Sequence, residues 1–156
     1  MPEFFNVSCV RDASFPEDKP LVLELFREYE NSLSLDLSFQ DFEAEVAGLP
    51  GKYAPPQGAL LLADDLGCIA MRSLEPDICE MKRLYVRKKA RGRGVGRALV
   101  AAILDRARTA GYRAMRLDTM PTMGSAIQIY RALGFRDIPQ YCANPIPGAL
   151  FLELVL

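Results

Sequence analysis

The sequence predicts an α+β fold in which a mixed, mostly antiparallel seven-stranded sheet is flanked by helices. Three observations predict it. Apolar strand-like runs and stretches of helical period occur in the order one strand, two helices, three strands, helix, strand, helix, two strands. Asp64-Asp-Leu-Gly67 lies between two apolar runs and reads as a hairpin turn, and Glu75-Pro-Asp is a second turn. A strand, a glycine-rich loop, a helix and a strand then succeed one another from Ile78 to Thr119. Such a crossover unit makes the fourth and fifth strands parallel. The chain has 156 residues, enough for one domain over 1–156 with a real core and too few for two.

Taken in order, Phe4 to Val10 reads as the first strand. Ser14-Phe-Pro-Glu-Asp signals a helix start, with a cap candidate, a proline and first-turn acids. Leu21, Leu25 and Tyr29 come next at helical spacing, widened by Val22 and Phe26. Ser38 is a cap candidate for a second helix, with Asp41 at the capping-box distance and Phe39, Phe42, Val46 and Leu49 as its apolar face. Gly48, Pro50 and Gly51 end it. Ala59 to Ala63 and Cys68 to Ser73 are the hairpin strands, and Ile78 to Val86 is the fourth. The next helix carries Val95, Leu99, Ala102 and Ile103 on one face, with Arg106 and Arg108 at its negative end and Gly111 as its stop. Ala114 to Thr119 is the fifth strand. Pro121 is expected to open a helix with Ala126, Ile129, Tyr130 and Leu133 on one face, ended by Gly134. Phe135 to Ile138 and Ala149 to Leu156 complete the sheet, separated by a proline-containing loop.

Composition narrows the chemistry. Half the residues are hydrophobic, a quarter are charged and the formal net charge is −1, as in an ordinary globular protein. The basic residues cluster locally, which fits a small phosphorylated ligand and not nucleic acid. No apolar run is long enough to span a membrane, and no signal-like segment opens the chain, so no membrane association and a cytoplasmic location are expected. Cys9, Cys68, Cys79 and Cys142 show no metal-type spacing. The first three lie in apolar runs and read as buried free thiols. The chain has no histidine. That removes histidine-based nucleophile systems and most catalytic zinc sites, so no metal is expected, and proton transfer falls to carboxylates, tyrosine, lysine, cysteine or water.

The chain is organised around Val86 to Leu99, where Gly92, Gly94 and Gly96 alternate among Arg87, Lys88, Lys89, Arg91, Arg93 and Arg97. Glycine admits positive φ and close backbone approach, and the helix N-terminus behind it offers unpaired N–H groups and partial positive charge. Together they suit a phosphate or diphosphate. No Lys-Ser or Lys-Thr comes after the glycines, so this is not a nucleotide P-loop, and neither Gly92 nor Gly94 begins a G-x-G-x-x-G dinucleotide fingerprint. The pattern that fits is R-x-x-G-x-G over Arg91, Gly94 and Gly96. Here the chain resembles the GNAT superfamily of N-acetyltransferases, whose main motif holds the pyrophosphate of acetyl-coenzyme A. A second stretch, Ala126-Ile-Gln-Ile-Tyr-Arg-Ala-Leu-Gly-Phe135, resembles the family's A-x-x-L-Y-x-x-x-G-F signature with Ile129 for the leucine. The order of elements is also that of the GNAT fold.

The resemblance implies that strands four and five splay and that the pantetheine arm of acetyl-coenzyme A lies between them. The backbone of Leu84, Tyr85 and Val86 would pair with that arm, and a strand-four N–H, from Leu84, would face the thioester oxygen. Main-chain N–H groups over Arg91, Gly92, Arg93, Gly94, Val95, Gly96 and Arg97 would hold the phosphates, with Arg87 or Lys88 among the cations in reach of the 3′-phosphate. Tyr130 matches the tyrosine that protonates the departing thiolate; its bland alternative is a core tyrosine. Glu80 matches a position where some members carry a general base; its alternative is a glutamate paired with Lys82 or Arg83 at the sheet surface. Even spacing along a regular strand places Glu80, Lys82, Leu84 and Val86 on one face. The sequence departs from the family at Met123, where an asparagine commonly helps hold coenzyme A; Ser125 is the candidate substitute.

By the same resemblance the acceptor site draws Tyr29, Asp36, Phe39, Gln40, Lys52 and Tyr53 from the first two helices and the segments adjoining them. Asp118, Thr119, Tyr141 and Asn144 come from the later strands and loop. The leading expectation is acetyl-coenzyme A-dependent N-acetylation of a small or amino-acid-like amine in a ternary complex, by a monomer or homodimer. A protein lysine or N-terminal acceptor, and a non-catalytic acyl-coenzyme A sensor, remain open.

Overall fold

A computed structural model describes residues 9–33 and 41–156. Its strands are β1 (Val10–Asp12), β2 (Ala59–Ala63), β3 (Gly67–Glu75), β4 (Ile78–Val86), β5 (Ala114–Thr119), β6 (Arg136–Asp137) and β7 (Leu150–Val155). Its helices are α1 (Lys19–Leu33), α2 (Phe42–Ala47), α3 (Val95–Thr109) and α4 (Gly124–Ala132). The strands form one seven-stranded sheet in the order β1-β2-β3-β4-β5-β7-β6. Every neighbouring pair is antiparallel except β4 and β5, which are parallel. The α+β expectation holds.

Alternation along the strands sends side chains to two faces, and each face carries its own apolar cluster. Leu61, Ile69, Met71 and Met115 pack with Leu99 and Ile103 of α3. Leu60, Leu62, Cys68 and Ala70 pack with Val22, Leu25 and Phe26 of α1 and Phe42 and Val46 of α2. Helices on both faces explain why β2 is an unbroken apolar run: all five of its residues are buried. Each large side chain buried in this way contributes about 1.5–3 kcal/mol relative to exposure.

Several boundaries differ from those expected of the sequence. Phe4 to Ser8 lie outside the described residues, and β1 spans Val10–Asp12, starting on the last residue of the expected stretch; Cys9 is exposed, not buried. α1 begins at Lys19 because Ser14 to Asp18 form a turn of their own. The Asp18 N–H donates to Ser14 O at 2.7 Å, and the Asp18 carboxylate turns back to accept the Ser14 N–H at 2.7 Å. Ser38 and Phe39 lie outside the described residues. Asp41 precedes α2 in the left-handed region at φ 54°, without a side-chain cap bond. α4 starts at Gly124, three residues after Pro121, and β6 keeps only Arg136 and Asp137.

Candidate active site

The site begins with an irregularity in β4. Ala70 pairs with Lys82 and Cys68 with Tyr85, so Arg83 and Leu84 together oppose Ile69. This is a β-bulge, and Arg83 adopts φ 62°, a conformation costly for a non-glycine residue. Alternation then resumes in the opposite phase. Lys82, opposite Ala70, faces α1 and α2, as does Glu80, whereas Leu84 and Val86 pack on the α3 side. The expectation that these four residues share one face therefore fails at the bulge.

Arg83 is 3% exposed. Its Nε and Nη2 donate to Glu45 of α2 at 2.8 and 3.0 Å, and its guanidinium lies 5.1 Å from the Phe42 ring centroid. Burial, the largest single influence, would pull its pKa down, but the bond to Glu45 and the neighbouring charges of Tyr53, Glu45 and Tyr29 together raise it. Tyr53, also a candidate for the acceptor site, donates its hydroxyl to Glu45 at 2.7 Å and is buried. The bulge is thus clamped to α2.

β4 and β5 pair only over Ile78–Glu80 and Ala114–Arg116. Beyond those residues the strands part, as expected for a splayed pair. The gap is lined by Leu84 and Lys82 from β4, Leu117, Asp118 and Thr119 from β5, Tyr29 from α1, Tyr130 from α4, and Asn144. The Tyr29 ring meets Tyr85 edge-on with centroids 6.3 Å apart. Tyr130 is 4% exposed and packs on Phe135 at 5.7 Å. Burial, then the charge of neighbouring Tyr29 and Asp118, pushes the Tyr130 phenol well above its ordinary pKa, so it is a proton carrier at neutral pH.

The glycine turn leads from β4 into α3. Gly92 and Gly94 sit at φ 81° and 79°, where an L side chain is strained. Gly94 precedes α3, and no side chain caps the helix. Its first N–H groups therefore remain available to an external anion. Gly96 has a different reason: an added Cβ would stand 3.2 Å from Ile129 Cδ1, so its absence lets α4 approach α3. Val95 is buried and can contribute only main chain. Arg91 donates to Val86 O at 3.1 Å, while Arg93 and Arg97 form no ion pair among the described residues. Arg87 is committed elsewhere, bonded to Glu24 and Glu28 of α1 at 2.6 and 2.8 Å, which leaves Lys88 as the freer of the two cations expected near a 3′-phosphate. Ser125 is exposed in the first turn of α4. These features fit coenzyme A: an uncapped helix end for its diphosphate and an unladdered strand edge for its arm.

On the α1–α2 side of the sheet a cleft of about 460 Å³ opens beside the gap. Lys52, Tyr53, Arg72, Glu80, Lys82, Asp118 and Cys142 are among its lining residues. Glu80 is 1% exposed. Its Oε1 accepts from Arg72 Nε at 3.0 Å and its Oε2 from the Tyr141 hydroxyl at 2.6 Å. Of the surface pairing considered from sequence, the location and Arg83 are corrected and Lys82 is retained: Glu80 is buried, Arg72 is its hydrogen-bonded cation, Lys82 stands 3.9 Å away as a looser ion pair, and Arg83 belongs to Glu45. Burial, then Glu80, raises the Tyr141 phenol. Asp118 Oδ2 accepts from Asn144 Nδ2 at 2.9 Å, and the Ile146 N–H fixes that amide by donating to Asn144 Oδ1 at 3.0 Å. Donor atoms of Glu80, Asp118 and Cys142 lie within 4.8 Å of one another. Burial, then Asp118 and Glu80, pushes the Cys142 thiol up to about 11, so it is protonated and a poor nucleophile at neutral pH.

The structure therefore brings together Glu80, Asp118, Tyr141, Asn144, Tyr29 and Tyr130, and sets the glycine turn apart from them at the other end of the gap. Asp36, Phe39 and Gln40 lie outside the described residues. Thr119 is buried and donates to Met123 Sδ at 3.7 Å. Sequence reasoning missed Arg72, Cys142 and Glu45. The available signal was Lys82-Arg83, two adjacent cations that share an apolar strand with Glu80, which marks the need for acids nearby.

A mixed sheet with one parallel pair that splays, beside a helix whose N-terminus is left open by glycines, defines an acyl-coenzyme A transferase fold. The sequence model of the Acetyltransferase (GNAT) family matches residues 20–135, and the chain belongs to that family. It is 37% identical to an uncharacterised N-acetyltransferase of Schizosaccharomyces pombe, over 98% of this chain and 96% of that one. It is 30% identical to the N-acetylaspartate synthetase of Danio rerio, over 95% of this chain and 56% of that protein. Among solved structures it is similar to a GCN5-related N-acetyltransferase from Kribbella flavida, with TM-score 0.69 and 29% identity over 94% of this chain and 96% of that one. The class is that of acyltransferases with acetyl-coenzyme A as donor. Among the described residues, no helix is long and apolar enough to cross a membrane.

Proposed function

We propose that this chain moves an acetyl group from acetyl-coenzyme A to the primary amine of a small, amino-acid-like acceptor, by direct attack with both molecules bound. The observation that carries the reading is that the β4–β5 gap and the charged cleft share Lys82 and Asp118, so a chain held in the gap ends where an amine bound in the cleft begins. The similarity to an N-acetylaspartate synthetase supports an amino-acid-like acceptor.

The donor supplies an activated acetyl thioester. Main-chain N–H groups from Arg91 to Arg97 hold its diphosphate, Arg93 and Arg97 add positive charge, and Ser125 contacts it from α4. The main chain of Leu84, Tyr85 and Val86 pairs with the pantetheine amides, as peptides add to a sheet edge. The Leu84 N–H donates to the acetyl oxygen as negative charge develops there. Tyr29, Asp118, Tyr141 and Asn144 border the amine. A free alkylammonium has a pKa of about 10, so a base must take its proton. Glu80 is that base, receiving the proton through the Tyr141 hydroxyl because both its oxygens already hold donors. The amine nitrogen then bonds to the acetyl carbon as the carbon–sulfur bond breaks, Tyr130 gives its proton to the departing sulfur, and the second proton that the nitrogen sheds on becoming an amide restores the Tyr130 phenol. The high pKa of Cys142 argues against a relay through a cysteine thioester.

Thiol release measured across a panel of amines, with coenzyme A binding followed by calorimetry, tests the proposal. Turnover of small amines supports it. Binding without any turnover would favour a sensor, and turnover confined to peptides would favour a protein acceptor.

A further inference from the structure

Lys82 and Asp118 stand out among the charges of the cleft. Arg72 satisfies Glu80 and Arg83 satisfies Glu45, each at hydrogen-bond distance. Among the described residues Lys82 has no such partner. Its side chain is only 14% exposed, yet its nearest carboxylate oxygen is Glu80 Oε1 at 3.9 Å, beyond hydrogen-bond reach and already engaged by Arg72. A largely buried ammonium whose one nearby carboxylate is beyond hydrogen-bond reach is costly to keep. Asp118 is the complementary case. Asn144 holds Oδ2, and among the described residues no donor reaches Oδ1.

The two residues are placed to act together. Glu80 pairs with Arg116 in the last rung of the β4–β5 ladder, and Lys82 and Asp118 are each two residues further on. They face one another across the opening gap, and no ion pair joins them among the described residues. Both line the gap and the cleft. A cation and an anion left apart, at the point of group transfer, match a ligand that carries both charges on neighbouring atoms.

We infer that the acceptor is a free α-amino acid, its ammonium held by Asp118 and its carboxylate by Lys82. This inference rests on the acetyltransferase reading and narrows its acceptor. Asn144 is a positioning residue: with its oxygen fixed by the Ile146 N–H, it must present its amide hydrogens to Asp118 and so aims Oδ1 at the amine. Peptide N-termini and simple alkylamines lack the α-carboxylate and lose the Lys82 contact.

The test compares the twenty amino acids with their methyl esters and their decarboxylated amines, reading kcat/KM by thiol release, while calorimetry reads coenzyme A binding on the same preparations. A charge-assisted hydrogen bond predicts that at least one free amino acid exceeds its own ester and decarboxylated amine by about 10–100-fold. Lys82→Met should bring that ratio close to one, mainly through KM, and Lys82→Arg should keep most of it. Equal turnover of an amino acid and its ester, or a ratio unmoved by Lys82→Met, would overturn the inference while leaving acetyl transfer standing. Coenzyme A binding with no amino acid turned over would overturn it too. Absence of coenzyme A binding would instead remove the acetyltransferase reading itself, and this inference with it.

Discussion

The two ends of the gap are built from different materials. At the diphosphate end, Gly92 to Gly96 offer main chain, and side chains matter chiefly by their absence. At the proposed acceptor end, main chain recedes: Arg72 and Tyr141 are hydrogen-bonded to Glu80, with the charges of Lys82 and Asp118 beside them. A ligand common to a whole family can be held by backbone, whose geometry many sequences produce. A ligand particular to one chain must be read by side chains. On the proposed reading, the contrast explains why one end is easy to identify and assigns the choice of acceptor to the other.

The contrast can be sharpened by substitution. Tyr130→Phe, where the two ends meet, should have the largest effect. Removing a positioned acid predicts a fall of about 10²–10⁴-fold in kcat with coenzyme A affinity retained. Steady-state kinetics with calorimetry checks it, and unchanged kcat would return Tyr130 to a packing role. Glu45→Ala strikes the clamp beneath the acceptor end. It leaves a guanidinium that is 3% exposed without its carboxylate, and since Glu45 itself is 18% exposed on its side chain, a loss of about 2–4 kcal/mol is expected in urea unfolding. A loss below about 1 kcal/mol would mean that the bulge is held by other contacts.

Gly94→Ala tests the backbone end. Forcing alanine to φ 79° costs about 1–2 kcal/mol, seen as a lower urea midpoint and weaker coenzyme A binding, whereas removing the Arg93 side chain should weaken binding only slightly. The reverse ranking would show that side chains hold the diphosphate. The smallest effect lies outside both ends, at the β1–α1 turn. The Arg11 guanidinium, then the Ser14 N–H, holds the Asp18 carboxyl at about 2, below its ordinary range. A depressed carboxylate pKa stabilises the fold above about pH 4, and that contribution is lost as pH falls through about 2. Because Arg11 is 51% exposed on its side chain, the contribution is about 1 kcal/mol at most. Unfolding of Asp18→Asn as a function of pH should be flatter over this window than that of the parent chain.

Legibility in the sequence divides along the same line. β2, β4, β5 and α3 are read from apolar pattern and punctuation, because their residues do locally what the fold requires. The glycine turn was legible because Gly92 and Gly94 sit at positive φ, which glycine adopts without strain. The acceptor end was not, because one extra residue at Arg83 reverses which side of the sheet the rest of β4 faces, and alternation alone cannot show a bulge. The partners of Glu80 were likewise hidden: Arg72 comes from the neighbouring strand and Tyr141 from a loop sixty-one residues away. Such pairings are set by strand register, which local sequence does not encode.

The central claim is that the turn between β4 and α3 grips a diphosphate and leads the thioester along the unladdered edge of β4. Hydrogen–deuterium exchange with and without acetyl-coenzyme A tests it most directly. The account predicts slower exchange at the amides of Leu84 to Val86 and Arg91 to Arg97 when the donor is present. Unchanged exchange in both stretches under saturating acetyl-coenzyme A would contradict it.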